Sequence, residues 1–340
     1  MNRRWTLSMA LIAVLALFVS ACATPAASPA PDAAPAGDEA AEETQVMQSG
    51  LVFGFASHEA PGDSGFWGIV EKGCKDAAAS LGAECKSAGS IDPVEQAQIV
   101  SDYVAEGVDG IIVSLANPEA MADSVRAAVA AGIPVITMNS GVNNWEELGA
   151  LTHVGQSEFP AGAGAGKRMD AAGLAKVVCV VHEESNIALE ERCDGLESTF
   201  SGEVERFNVA STGTGDIAGT SASIQDKLTA DDSVDGILTL NPDVAIAALD
   251  AMKSAGVTDR VTLGTFDLSG PVVEAIQAGE IIFGIDQQPY LQGYLPATML
   301  HLYNTNLNVV GGGLPVLTGP GFVTPDNAEA VAELAAGGTR

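Results

Sequence analysis

From residue 51 onward the chain alternates two hydrophobic patterns. Short continuous apolar runs have the length and β-branched content of buried strands: LVFGFA (51–56), GIIVS (110–114), IPVITM (133–138), AKVVCVV (175–181), GILTL (236–240), VTLGTF (261–266) and IIFGI (281–285). Shorter strands are predicted at 83–87, 152–155 and 203–209. Between these runs, apolar residues recur at helical spacing. Phe66, Ile69, Val70, Cys74, Ala77, Ala78 and Leu81 fall on one helical face, which Gly82 ends. Asp92-Pro93 opens the next helix, with Asp92 as N-cap, Pro93 at the first helical position and Glu95 three residues after Asp92. Asn117-Pro118 starts a helix that Gly132 closes. Further helices are predicted at 158–172, 186–200, 217–229, 242–255, 270–278 and 289–303. Strands alternating with helices predict an α/β fold, and the restart of the series after residue 150 predicts two similar lobes, each a doubly wound parallel sheet.

The first fifty residues carry a different pattern. Arg3 and Arg4 precede an apolar stretch, Leu7 to Val19, too short for a comfortable membrane span. Val19-Ser20-Ala21-Cys22 resembles a bacterial lipobox. That resemblance implies a signal peptide over 1–21, lipidation of Cys22 and a tether to a membrane face. An ordinary signal peptide is the alternative, since Ala21 and Ala23 offer a small-residue cleavage site. Residues 22–49 are rich in Ala, Pro, Asp and Glu, and read as an acidic, solvated spacer. Nothing downstream suggests a second span, so an exported, soluble body is expected.

Charge narrows the partners. Asp and Glu number 44 against 15 Lys and Arg, a formal net charge of −29. Such a chain repels phosphate backbones and anionic membrane surfaces, so nucleic acid is excluded as a partner. The leader contributes only two positive charges and the spacer five negative ones, so the acidity belongs to the folded body. Apolar residues are 47% and aromatics only 5%, enough for sizeable cores built mainly from aliphatic side chains. Beyond Cys22 the cysteines are Cys74, Cys85, Cys179 and Cys193, with no C-x-x-C pair, so no metal site is expected. Export permits disulfides, and Cys74–Cys85 with Cys179–Cys193 would each bridge a helix and a strand. Four buried free thiols are the other possibility.

In wound sheets of this kind ligands sit beyond the carboxyl ends of the strands. Those ends carry Ser57-His58-Glu59 and Asp63, followed by Phe66 and Trp67. They also carry Ser114 and Asn117, then Asn139 and Ser140. In the second lobe they carry His182, Glu183, Glu184 and Asn186, with Arg192 further into the helix, then Asn241, Asp267 and Asp286-Gln287-Gln288. Amides, acids and an arginine beside flat rings suit a polyhydroxylated ligand: the polar groups bond hydroxyls and the rings cover C–H faces. Taken singly, each Asn or Asp also reads as a turn residue or helix cap.

The body resembles the type I periplasmic sugar-binding proteins of ABC transporters, the ribose-binding-like group. The resemblance rests on FWGIVEKGCKDAAASLG (66–82), DPVEQAQIVSDYVAEGVDGIIVSLANP (92–118), AAGIPVITMNS (130–140), EERCDG (190–195), FD (266–267) and DQQPYLQGY (286–294), and covers essentially all of 51–340. It implies two lobes joined by a three-crossing hinge: 50–155 with 289–313, and 156–288 with 314–340. The crossings are expected near 155–157, 287–289 and 311–315. It places Phe66 and Trp67 on the ligand faces, with Asp63 in the loop before them. Asn117, Asn139, Arg192, Asn241, Asp267 and Gln287 become hydroxyl partners, with Arg192 and Asp267 orienting one another. It further implies a monomer without cofactor or catalytic residues, and a small neutral monosaccharide or polyol as ligand. The membrane partner would be an ABC permease, with the protein in the periplasm or on the outer face of the cytoplasmic membrane. An Arg192–Asp267 charge balance in the cleft agrees with an uncharged ligand.

Three departures concern the ligand's identity. Asn139-Ser140 stands where ribose-binding relatives have Asp-Arg, TGTGDIAGT (212–220) offers no second-lobe aromatic, and the loop from His58 to Asp63 is longer. Other functional classes find less support. A glycosidase would need placed carboxylates, yet most acids fall on helix faces, and there is no G-x-S-x-G or HExxH. GAGAGKR (162–168) fails the phosphate-loop pattern, because Ala161 and Arg168 occupy the Gly and Ser/Thr places, and reads as a small packing face. A transcription regulator would need a basic helix-turn-helix in place of the acidic N-terminus. A signalling receptor on the same binding module stays open.

Overall fold

The computed structural model describes residues 49–340, apart from 62–64 and 212. The leader, Cys22, nearly all of the spacer, and Asp63 lie outside the described residues. The first part of the body runs β1 (Val52–Ser57), α1 (Gly65–Ser80), β2 (Glu84–Gly89), α2 (Pro93–Glu106), β3 (Gly110–Ser114), α3 (Pro118–Ala130), β4 (Val135–Met138) and β5 (Thr152–Gln156). The second runs α4 (Glu158–Ala171), β6 (Lys176–Val181), α5 (Ile187–Thr199), β7 (Glu203–Asn208), α6 (Ile217–Ala230), β8 (Gly236–Thr239), α7 (Pro242–Ala255), β9 (Thr262–Phe266), α8 (Gly270–Gln277) and β10 (Phe283–Asp286). The chain ends with α9 (Pro289–Asn306), β11 (Val316–Gly319), β12 (Gly321–Val323) and α10 (Ala332–Ala336).

Local chemistry explains the boundaries. Asp92 caps α2 by accepting from the Val94 N–H at 2.8 Å, and Gly107 ends the helix at φ 70°. The apolar runs become strands whose two faces are both covered, so all five residues of β3 are buried. Two six-stranded sheets result, ordered β11-β5-β4-β3-β1-β2 and β12-β10-β9-β8-β6-β7. Pairing is parallel except between β10 and β12. In each sheet the order reverses at the first strand of the series, β1 or β6, which opens a crevice at the strands' carboxyl ends.

One expectation is corrected. Val316 pairs with Val154 and Leu317 with Gly155, so residues 316–319 extend the first sheet. The third crossing is therefore Gly319-Pro320-Gly321, between β11 and β12, rather than 311–315. The glycines at 311–313, all at positive φ, instead turn the chain from α9 into β11. Only the pairing of β11 with β5 reveals this, because the run is too short and too exposed for its pattern to name a sheet.

Two helix pairs pack through glycine. A Cβ on Gly162 of α4 would enter the carbonyl oxygen of Arg192, and one on Gly195 of α5 would enter that of Phe159. Gly73 of α1 and Gly293 of α9 meet the carbonyls of Tyr290 and Val70 in the same way. The GAGAGKR stretch is thus a packing face. Disulfides Cys74–Cys85 and Cys179–Cys193 tie α1 to β2 and β6 to α5, which decides between the two cysteine states left open by the sequence.

Gly162→Ala should separate α4 from α5 and cost about 1–3 kcal/mol, the usual range for overpacking; urea unfolding would measure it. Replacing Cys74 and Cys85 together by serine should cost about 2–4 kcal/mol, as expected for opening a short loop, and lower the melting temperature under oxidising conditions.

Candidate functional site

The carboxyl ends of both sheets converge on one small cavity. His58, Glu59, Phe66, Trp67, Asn139 and Ser140 line it from the first lobe. His182, Glu183, Asn186, Arg192, Asn241 and Asp267 line it from the second, and Gln287 from the segment leading into α9. The structure thus brings together Phe66, Trp67, Asn139, Arg192, Asn241, Asp267 and Gln287. Asn117 is not among the lining residues. It caps α3, accepting from Ala120 N–H at 3.1 Å, and borders a neighbouring cleft that also touches Gln96 and Glu184.

The aromatic wall forms at the start of α1. Phe66 and Trp67 stand almost perpendicular, ring centres 5.2 Å apart, and His58 sets its ring edge-on to Trp67 at 4.8 Å. These edge-to-face contacts fix the rings before any ligand arrives.

Arg192 is held differently from the sequence reading. Its Nε donates to Glu158 Oε2 at 2.7 Å, its Nη2 to Glu158 Oε1 at 3.1 Å, and its Nη1 to the Leu240 carbonyl at 2.9 Å. The guanidinium also lies 4.5 Å from the Phe266 ring centre. Burial opposes its charge most strongly, but Glu158, with help from Asp267 and Glu183, holds the group above its ordinary pKa. Glu158 is the first residue of α4, where the helix N-terminus favours a carboxylate. Arg192 is therefore neutralised by Glu158, and the expected mutual orientation of Arg192 and Asp267 is replaced by two separate sets of bonds. Glu158 escaped sequence reasoning because an acid in a first helical turn is indistinguishable from ordinary dipole complementarity.

Asp267 joins an amide chain instead. Gln287 Nε2 donates to Asp267 Oδ1 at 2.8 Å, while Gln287 Oε1 accepts from Asn139 Nδ2 at 3.2 Å and Gln292 Nε2 at 2.8 Å. Thr318 Oγ1 donates to the Gln287 carbonyl at 2.7 Å, so this chain reaches β11 beside the third crossing. Asn139 and Asp267 both adopt left-handed backbone, φ 61° and 68°, a costly conformation that neighbouring bonds hold in place. Burial pushes the Asp267 carboxyl up to about 7, against the pull of Arg192 and the Gln287 bond.

Asn241 combines both readings of a strand-end amide. Its Oδ1 caps α7, accepting from Asp243 and Val244 N–H, and its side chain also lines the cavity.

The lobes also meet through groups not chosen as ligand partners, among them the strand-end residues His58, Glu59, Glu183 and Asn186. Asn186 Nδ2 donates to Glu183 Oε2 at 2.6 Å and lies 3.3 Å from His58 Nε2, which is 3.5 Å from Glu183. Thr214 donates to Glu59 at 2.8 Å, and Ile187 N–H to the Ala116 carbonyl at 3.1 Å. Burial lowers the pKa of His58 and takes His182 down to about 4. Burial alone would raise Glu183, but His58, His182 and the Asn186 bond bring it below its ordinary value. Their signal in the sequence was position alone.

Known proteins share this fold. A carbohydrate transporter from Acidothermus cellulolyticus 11B, solved in complex with myo-inositol, is 38% identical with a TM-score of 0.82, covering 86% of this chain and all of that one. The xylose/arabinose-binding protein of Sulfolobus acidocaldarius is 26% identical over 78% of this chain and 69% of its own length. The ribose import binding protein of Haemophilus influenzae is 25% identical over 68% and 79%. The family model described as periplasmic binding protein domain matches residues 53–306. Two wound lobes enclosing a cleft of rings, amides and acids, and a family match over most of the body, lead to one conclusion: this chain belongs to the periplasmic binding protein family, among its type I sugar-binding members.

Proposed function

We propose that this protein is the solute-binding component of an ABC importer, taking a small sugar or cyclic polyol between its lobes. It would work as a monomer, tethered through Cys22, and hand its ligand to a permease. The observation that carries this reading is the cavity itself: paired aromatic rings from one lobe face hydroxyl-bonding amides, an arginine and carboxylates from the other. The myo-inositol bound by the Acidothermus relative, and the pentoses in the names of the two more distant ones, support a ligand of this size and chemistry.

Closure follows from the same contacts. A ligand held by one lobe meets the other only when the lobes come together, so its binding energy shifts the open–closed population. The His58–Asn186, Glu59–Thr214 and Ala116–Ile187 contacts span the lobes and hold the closed form. The amide chain through Gln287 and Gln292 links the ligand wall to the crossings, so hinge rotation and the placing of Asp267 are coupled. The chemistry required is binding and release, with no reacting group assigned.

A thermal-shift screen against pentoses, hexoses, inositols and linear polyols tests the reading, because a specific ligand raises the melting temperature by mass action. If no compound in that panel and no amine-bearing analogue of one shifts the transition, the proposal fails. Asn241→Ala should weaken binding of the best compound about tenfold, the scale of a lost buried hydrogen bond, as read by calorimetry. Arg192→Ala should destabilise the fold by about 3–5 kcal/mol, because Glu158 would stay buried without its partner; chemical denaturation reports this. Asp267 gives a pH signature. Its native pKa lies above the unfolded value, so its contribution is fully present below about pH 4 and is lost as pH rises through about 7. Asp267→Asn should therefore gain stability relative to the parent above pH 7, on the order of a few kcal/mol, with that gain vanishing below about pH 4.

A further inference from the structure

The charge balance of the cavity differs from the one the sequence suggested. Arg192 brings the one permanent positive charge among the described lining residues, and Glu158 pairs it bidentately from behind. That leaves Glu183 and Asp267 as buried lining carboxylates with no lysine or arginine hydrogen-bonded to them among the described residues. The imidazoles do not supply a cation at neutral pH, because burial lowers both His58 and His182. Asp267 is 3% exposed and takes one hydrogen bond from within the chain, at Oδ1 from Gln287. His182 lines the same cavity at 4% exposure, and its Nδ1 has no hydrogen-bond partner. An excess of buried negative charge is costly unless a positive group balances it. The net charge of −29 draws cations toward the molecule at long range in the same sense.

We propose that the cleft is built for a polyhydroxylated ring bearing one protonated amine, an amino sugar or aminocyclitol, and binds it more tightly than the all-hydroxyl parent. The inference rests on the sugar and polyol reading above and sharpens its substrate class. Asp267 and Glu183, which both line the cavity from the second lobe, are the carboxylates that would face the ammonium, with Phe66 and Trp67 covering the ring. The cation would also draw the proton from Asp267, so that binding releases protons between about pH 6 and pH 8, whereas a neutral ring leaves that proton in place.

The test compares matched pairs on the full-length protein by titration calorimetry at pH 7: glucosamine against glucose, and an inosamine against myo-inositol. The expected result is at least tenfold tighter binding of one amine over its parent. Proton release, seen as a different heat in phosphate and Tris, should accompany the amine alone. Asp267→Asn and Glu183→Gln should each shrink the amine-to-parent ratio, with circular dichroism confirming the fold of each variant. Parents that bind as well as or better than their amines overturn this inference and leave the sugar and polyol reading standing. If neither amines nor neutral rings bind, the proposed function itself falls and takes the inference with it.

Discussion

The buried pair of Glu158 and Arg192 is the constraint on which the site depends. Both side chains are almost wholly enclosed, so neither charge is tolerable without the other. The pair forms because α4 and α5 approach through Gly162, Gly166 and Gly195, with no Cβ to hold the backbones apart. Their proximity puts the first residue of α4 against the second turn of α5. From there the guanidinium reaches the Leu240 carbonyl at the end of β8 and rests on Phe266 at the end of β9. One ion pair thus joins two helices and two strand ends, and sets where the second lobe presents its polar wall.

A chain of amides does the corresponding work at the hinge. Asn139 ends β4 in the first lobe, Asp267 ends β9 in the second, and Gln287 bridges them from the second crossing. Gln156 Nε2, at the first crossing, donates to Glu158 at 2.8 Å. The crossings are therefore wired by hydrogen bonds to both anchors of the cavity, Asp267 and Arg192. Because amides both donate and accept, such a chain can transmit rotation without burying additional charge.

Much of the fold was legible because its signals are local. Continuous apolar strands, the Asp92-Pro93 cap and the terminal glycines each depend on a few neighbouring residues. The predicted helices and strands from β1 to α9 accordingly meet their counterparts within a few residues. Residues 316–319 were assigned to the wrong lobe because an edge strand's partner is a long-range fact. Among the residues lining the cavity, Phe66, Trp67, Asn241 and Asp267 are readable from strand-end position. Asn117 was not separable from them, since a capping asparagine and a ligand-binding one carry the same side chain at the same place.

What the sequence determined by itself was the alternation of elements, the doubling of the wound sheet and the list of polar groups at its carboxyl edges. These follow from periodicity and from the geometry of parallel sheets. Which groups touch was decided only by tertiary structure. Glu158 lies 34 residues from Arg192, and Asn139 lies 148 from Gln287. No pattern within either segment encodes the distance between them. The partner of the buried arginine sets the charge of the cleft, and that partner is chosen by how closely two glycine-faced helices can approach.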